Sequence, residues 1–212
     1  MDDHEYWDDF YEGHNAVGYP SPFAEFCESH FLDDTSHILE LGPGNGRDAF
    51  FFYDHGHQVT AVDQSQSAVE QCQKRAAEVR HPNLVQFRCE DFTRLDPADH
   101  PDMDAVYSRF TIHSIDDEAE GRVIDLAWEV LRSQGQLLIE ARTVNDPLYG
   151  KGTEIGTHEF ITDHYRRHID AQDFLRRVLS RGFQLHFFHE SDGLALFHDE
   201  NPVVVRMALI RP

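Results

Sequence analysis

Ile38-Leu39-Glu40-Leu41-Gly42-Pro43-Gly44-Asn45-Gly46 is the stretch on which the reading of this chain turns. Three apolar residues around one acid, followed by glycine at every second position, read as a short buried strand running into a tight turn. Glycine lacks a Cβ and tolerates φ above zero, so the backbone of such a turn can approach a ligand closely. Two phosphate-binding loops are excluded by the spacing. A dinucleotide fingerprint, G-x-G-x-x-G, needs its third glycine at position 47, where this chain has Arg47. A Walker loop needs Gly-Lys-Ser/Thr, which does not follow. Glu40, directly before the glycines, suits a ligand that carries positive charge at that point.

Outward from this loop, short apolar runs alternate with longer amphipathic ones, the pattern of a parallel sheet covered by helices. We expect strands at 37–41, 58–62, 84–88, 103–108 and 136–141. Helices are expected at 47–55, from Ser65 or Ser67 to about Arg80, at 116–132 and at 170–180, with a helix stop at Gly182. Residues 183–189 and 203–210 follow as two strands with no helix between them, which predicts a terminal antiparallel hairpin. Residues 1–35 read as an N-terminal helical cap and 36–212 as the main domain. From about 143 to 169 the rhythm breaks, with Pro147, Gly150, Gly152 and Gly156, and a loop of that length in a compact domain is functional or disordered.

Composition narrows the class. With 212 residues, 40% of them hydrophobic and 12% aromatic, the chain can bury one complete core. The formal charge of 18 − 39 = −21 argues against nucleic acid and against an anionic bilayer as partners. The charge is uneven: residues 1–63 carry fourteen acids against Arg47 alone, whereas 142–181 carry seven Lys or Arg against six acids. Three cysteines without a CxxC spacing suggest neither a disulfide framework nor a metal site. No apolar run is long enough to span a membrane, and the N-terminus lacks signal-peptide features, so a cytoplasmic protein is expected.

Acids close the next two strands as well. Asp63 lies 23 residues after Glu40, where ribose-binding α/β folds place an acid for the ribose hydroxyls. Glu90-Asp91-Phe92 ends the third strand. The ordered set resembles class I S-adenosylmethionine-dependent methyltransferases, from about residue 36 to the C-terminus. That resemblance implies a Rossmann-like, doubly wound, mostly parallel sheet of seven strands. It also implies S-adenosyl-L-methionine as cofactor: Gly42, Gly44 and Gly46 around its methionine portion, Asp63 on the ribose, and Asp91 with Phe92 at the adenine. Glu40, Pro43, Arg47, Gln64, Glu90 and Ser108 complete the expected cofactor set. Tyr6-Trp7-Asp8-Asp9-Phe10-Tyr11 resembles the Y-W-x-x-x-Y segment that closes over the cofactor in many of these enzymes, which adds Tyr6, Trp7 and Tyr11.

The acceptor side is read from the ends of the fourth and fifth strands. Ser108-Arg109-Phe110-Thr111-Ile112-His113 places Arg109 as an anion or backbone clamp and His113 as a candidate base, although most of fifteen histidines must be structural. Arg142, Tyr149, Lys151, His164, Tyr165 and Arg166 then bring cations and phenols to the same side, and Arg suits bidentate recognition of phosphate or carboxylate. Ser-Arg-Phe-x-x-His, Glu-Ala-Arg, Asp-x-Leu-Tyr-Gly-Lys-Gly and His-Tyr-Arg-Arg resemble the methyltransferase part of enzymes that cap bacterial surface polysaccharides, without their kinase segment. The expected reaction is O-methylation of a small or glycan-linked anionic acceptor. Alternatives are a neutral hydroxyl or amine with His113 as base, or a non-catalytic or NAD-binding protein of the same fold.

Overall fold

The computed structural model describes residues 4–13, 19–196 and 200–212. Two helices, α1 (His4–Gly13) and α2 (Pro22–His30), precede the alternating units. These are β1 (His37–Leu41), α3 (Arg47–Asp54), β2 (Gln58–Asp63), α4 (Gln66–Ala76), β3 (Val85–Cys89), β4 (Met103–Arg109), α5 (Asp117–Val130) and β5 (Leu131–Arg142). Three short strands follow, β6 (Thr153–Gly156), β7 (Glu159–Ile161) and β8 (Tyr165–Arg167), then α6 (Ala171–Arg181), β9 (Gln184–Ser191) and β10 (Val204–Ile210).

The main sheet has seven strands in the order β3-β2-β1-β4-β5-β10-β9. β1 to β5 pair in parallel, and β10 is antiparallel to both β5 and β9. Alternation along the central strands sends side chains to opposite faces and fills two cores. Ile38, Ala105, Tyr107, Leu138 and Ala208 pack with residues of α2, α3 and α4 such as Phe23, Phe50 and Val69. Leu39, Val106, Ile139 and Met207 pack with Val123, Ala127, Phe174 and Val178 of α5 and α6. Each fully buried aliphatic or aromatic side chain contributes about 1.5–3 kcal/mol from removal of apolar surface. The architecture is the doubly wound, Rossmann-like sheet that the sequence pattern predicts, with the C-terminal pair as the antiparallel part.

Several boundaries differ from the sequence reading. α5 stops at Val130, because Leu131 already pairs with Met103 of β4 in register. β5 is correspondingly longer at its start, and α4 ends at Ala76, short of Arg80. The segment between β5 and α6 is not a structureless loop: β6, β7 and β8 form a small antiparallel sheet. An isolated bridge between Thr143 and Ile169 brings the two ends of the segment together at the tip of β5. Among the described residues, no helix is long and apolar enough to cross a membrane.

Candidate functional site

The carboxyl ends of β1, β2, β3, β4 and β5, helix α1 and the small sheet enclose a cavity of about 920 Å³. Its two ends have different chemistry.

At one end stands the glycine turn. Gly42, Gly44 and Gly46 all adopt positive φ (68°, 53° and 75°), which explains the residue type. A Cβ on Gly42 would strike the Thr111 methyl group, and one on Gly44 would strike the Tyr11 phenol. The turn is thus packed on both sides, by the end of β4 and by α1. Gly46 is the N-cap of α3. Glu40 is 4% exposed, and among the described residues its Oε2 has no hydrogen-bond partner. Burial, and then the neighbouring carboxylates Asp48 and Asp63, push its pKa well above the ordinary range. A buried carboxylate in this state is stabilised by any cation placed beside it.

Asp63, at the end of β2, accepts the Gly44 N–H at 2.9 Å and the Ser65 N–H at 2.9 Å, tying the turn to the next strand. Asp91 caps the single turn Phe92–Arg94 by accepting from the Thr93 N–H and hydroxyl. Pro43, Arg47, Gln64, Asp91 and Phe92 line the cavity together with Glu40, Gly42 and Asp63. Gly44, Gly46, Glu90 and Ser108 do not: Glu90 is an exposed residue whose N–H bonds to the Asp63 carbonyl, and the buried Ser108 hydroxyl bonds to that of Thr111.

Helix α1 lies along this end and reaches the other. Asp8 accepts from the Ser65 hydroxyl at 2.7 Å and the Ser67 N–H at 3.2 Å, so it adds a carboxylate to the N-terminus of α4. Gln71 of α4 donates to the Tyr11 carbonyl at 2.8 Å. Tyr6, two residues earlier than Asp8, donates to Asp163 at 3.2 Å and stacks on His164 with ring centres 4.5 Å apart. Trp7 meets the same imidazole edge-on at 5.3 Å. Tyr6, Trp7 and Tyr11 all line the cavity.

The opposite end gathers Arg109, Arg142 and Arg166 together with the carboxylates of Glu159 and Glu200. Phe110 follows β4 with φ of 59°, a strained value for a side chain with a Cβ. Its N–H is held by the Glu140 carbonyl at 2.9 Å. The Arg109 and Arg142 guanidinium groups lie 4.3 and 5.6 Å from the Phe110 ring centre. Both are engaged by acids. Glu140, fully buried, accepts from Arg109 Nε at 3.0 Å and from Arg206 Nε at 2.7 Å. Arg142 donates to Asp146 Oδ2 at 3.2 Å and to Glu200. Arg109 therefore spends at least its Nε on Glu140, although it lines the cavity as expected.

Arg166 differs from the other five arginines on the wall, Arg47, Arg94, Arg109, Arg122 and Arg142. Each of those has a carboxylate within 4.0 Å. Among the described residues Arg166 makes no ion pair, and its hydrogen bond runs to His164 Nε2 at 2.8 Å. Burial, and then the adjacent Arg142, lower its pKa, which marks a cation held without full compensation. His113 is buried beside it and accepts the Arg142 N–H at Nδ1, at 3.3 Å. Burial, Arg142 and Arg166 hold the His113 pKa well below its usual value. His164 and Tyr165 also line the wall.

Two predicted residues stand apart from it. Tyr149 is exposed, with its hydroxyl 2.9 Å from His158 Nδ1, and Lys151 is exposed within the Gly150–Gly152 turn. Neither lines the cavity. The sequence reading missed Asp48, which accepts from the Ser21 N–H and hydroxyl, each at 2.7 Å, and from Tyr107 at 2.8 Å. An acid in the first turn after the glycines was its only signal. It also missed the tether at Asp8 and the roles of Phe110 and Thr111. Among the described residues no group of three side chains is arranged to hold a metal ion.

Residues 38–135 match the family of methyltransferase domains. No curated protein matches the chain by sequence. Solved structures do match by shape. The CcbJ methyltransferase from Streptomyces caelestis has a TM-score of 0.73 at 19% identity, covering 100% of this chain and 99% of that one. The glycopeptide N-methyltransferase MtfA, solved with S-adenosyl-L-methionine, has a TM-score of 0.70 at 18% identity, covering 94% and 98%. The [4+2]-cyclase SpnF has a TM-score of 0.73 at 15% identity, covering 98% and 93%. At such identities the likeness establishes the fold. That a cyclase shares it means that the domain match and the residues of the site, not the shape, carry the chemistry.

Proposed function

We propose that this S-adenosylmethionine-dependent methyltransferase transfers its methyl group to an oxygen of a small or glycan-linked acceptor that carries a phosphate or carboxylate. The observation that carries the acceptor reading is Arg166, a largely buried cation on the cavity wall with no carboxylate partner among the described residues, surrounded by Arg142, His113 and His164. In a protein of charge −21, a positive end of the cavity has a specific purpose to serve.

The residues at the other end fit the methyl donor. Glu40 offers a buried carboxylate oxygen without a partner among the described residues, suited to the donor's positive charge, and Gly42, with no Cβ, leaves the room that Thr111 takes against the turn. Asp63 and Asp91, with Phe92, would hold the ribose and the adenine. α1, tethered at Asp8, would serve as the cover over both ligands. When bound, the donor supplies a methyl group on a positively charged sulfur. Displacement at such a carbon requires alignment and exclusion of water more than proton transfer. An anionic oxygen brings its own electron pair: the carbon–oxygen bond forms as the carbon–sulfur bond breaks, and no proton has to move. Arg166 and its neighbours would hold that oxygen in line through charge-assisted hydrogen bonds. Trp7 and Phe10 would keep water out.

The test is release of S-adenosylhomocysteine with matched acceptors that differ in one charge: glucose 6-phosphate and glucuronate against glucose. Turnover that requires the charged group, with a KM raised about tenfold or more in Arg166→Gln, supports the reading. Equal turnover of glucose, or an Arg166→Gln enzyme with unchanged KM, refutes it.

A further inference from the structure

The ring of His113 is held in a way that decides what it can do. Its Nδ1 faces the backbone N–H of Arg142 at 3.3 Å. An amide N–H can only donate, so Nδ1 must supply a lone pair. A neutral imidazole with its lone pair at Nδ1 carries its proton at Nε2. The ring is 6% exposed, lines the cavity, and packs edge-on against Phe110 at 5.3 Å. Among the described residues Nε2 has no hydrogen-bond partner, while Nδ1 is used up.

We infer that His113 is a fixed hydrogen-bond donor to the anionic oxygen of the acceptor, through Nε2–H, and not a general base. This deepens, and rests on, the anionic-acceptor reading above. Two arguments support it. A base must present a lone pair to the acceptor's proton, and the ring's one lone pair points at the Arg142 amide. A second proton on the ring would have to sit at Nδ1, against that N–H, and would lie among Arg142 of β5 and Arg166, His164 and His168 of the inserted sheet. Burial, and then the Arg142 and Arg166 guanidinium groups, hold the pKa of the ring down. A neutral donor beside an arginine that makes no ion pair among the described residues recognises an oxyanion, and it gives a neutral alcohol nothing that would remove its proton. His113 and Arg166 together then select acceptors that arrive already ionised.

The experiment is nitrogen-15 NMR on the full-length protein loaded with S-adenosylhomocysteine, with long-range proton–nitrogen correlations assigned to His113 by comparison with His113→Gln. Inorganic phosphate is then titrated in while the His113 ring and the Arg166 Nε–H are followed. The inference predicts the neutral Nε2–H tautomer throughout the neutral pH range and a phosphate-dependent shift of both the Nε2 proton and the Arg166 signal. His113→Gln, whose amide can still donate, should keep phosphate affinity within about threefold, and His113→Leu should weaken it about 10- to 100-fold. An Nδ1–H tautomer or a cationic ring in the wild-type protein would overturn the inference without recourse to any variant. A shift at Arg166 with none at His113 would overturn it while leaving the anionic acceptor standing. Movement of neither group would overturn both.

Discussion

At the end of the cavity proposed for the donor the group without an ion-pair partner among the described residues is a carboxylate, and at the end proposed for the acceptor it is a guanidinium. Glu40 lies buried with one oxygen unpartnered among the described residues, and Asp63 is held by two backbone N–H groups from the adjoining turns. Across the cavity Arg166 makes no ion pair among the described residues, and it lies beside a histidine whose pKa is held down by burial and by Arg142 and Arg166. The donor end is built from residues at fixed offsets from three consecutive strand ends. The acceptor end is assembled from distant parts: the tips of β4 and β5, the inserted sheet, and Glu200, which pairs with Arg142 across 58 positions. One end is a property of the fold, and the other is a property of what has been added to it. The proposed transfer, from a cationic donor to an anionic oxygen, needs both polarities and needs them apart.

Substitutions that touch one end alone test that division. The largest effect is expected from Glu40→Gln, which should weaken S-adenosylmethionine binding about 100-fold by calorimetry, since removing one member of a buried charge pair costs several kcal/mol. The same change should stabilise the cofactor-free protein. Glu40 has a raised folded-state pKa, so its contribution is fully favourable only below the unfolded pKa of about 4.3 and is lost as pH rises through the folded value. The variant should therefore melt about 3 °C higher at neutral pH, the shift given by about 1 kcal/mol at this size, and show no advantage in acid. A lower melting temperature at pH 7 would mean that Glu40 has a compensating partner.

Arg166→Gln should do the reverse, raising the acceptor KM about tenfold while cofactor affinity stays within about twofold. If cofactor affinity falls as much, the two ends are not separate. A smaller effect is expected from Asp8→Ala, which removes the bonds to Ser65 and Ser67 that fasten α1 to α4. Loss of such a cap costs about 1 kcal/mol, and stopped-flow dissociation of the cofactor product should speed up about fivefold. Lys151→Ala should change neither KM beyond about twofold, because an exposed charge off the cavity wall is screened by solvent. A larger effect would place the Gly150–Gly152 turn at the acceptor.

Legibility in the sequence follows the same division. Strands β1 to β4 could be read because each is a short apolar run closed by an acid or a polar turn, and the glycine spacing announced the turn after β1. Asp63 and Asp91 followed from position alone. The small sheet was not legible: β6, β7 and β8 are four, three and three residues long, with Gly150 and Gly152 just before β6 and Gly156 at its end, too short for an alternation to register. Tyr149 and Lys151 sit in its cation-rich sequence but off the wall, since the Gly150 and Gly152 φ angles of 76° and 92° turn the chain there. Asp8 and Asp48 could not be read as tethers because their partners, Ser65 and Ser67 for one and Ser21 and Tyr107 for the other, meet them only through the fold. The start of β5 was misplaced for a similar reason, because pairing of Leu131 with Met103 overrides the helical periodicity through Arg132.

The most direct test of the acceptor end is calorimetric titration of the protein, saturated with S-adenosylhomocysteine, with inorganic phosphate at constant ionic strength. The account predicts one saturable site, weakened about tenfold or more by Arg166→Gln and left within about twofold by Lys151→Ala. Absence of a saturable site, or one that Arg166→Gln leaves unchanged, would contradict it.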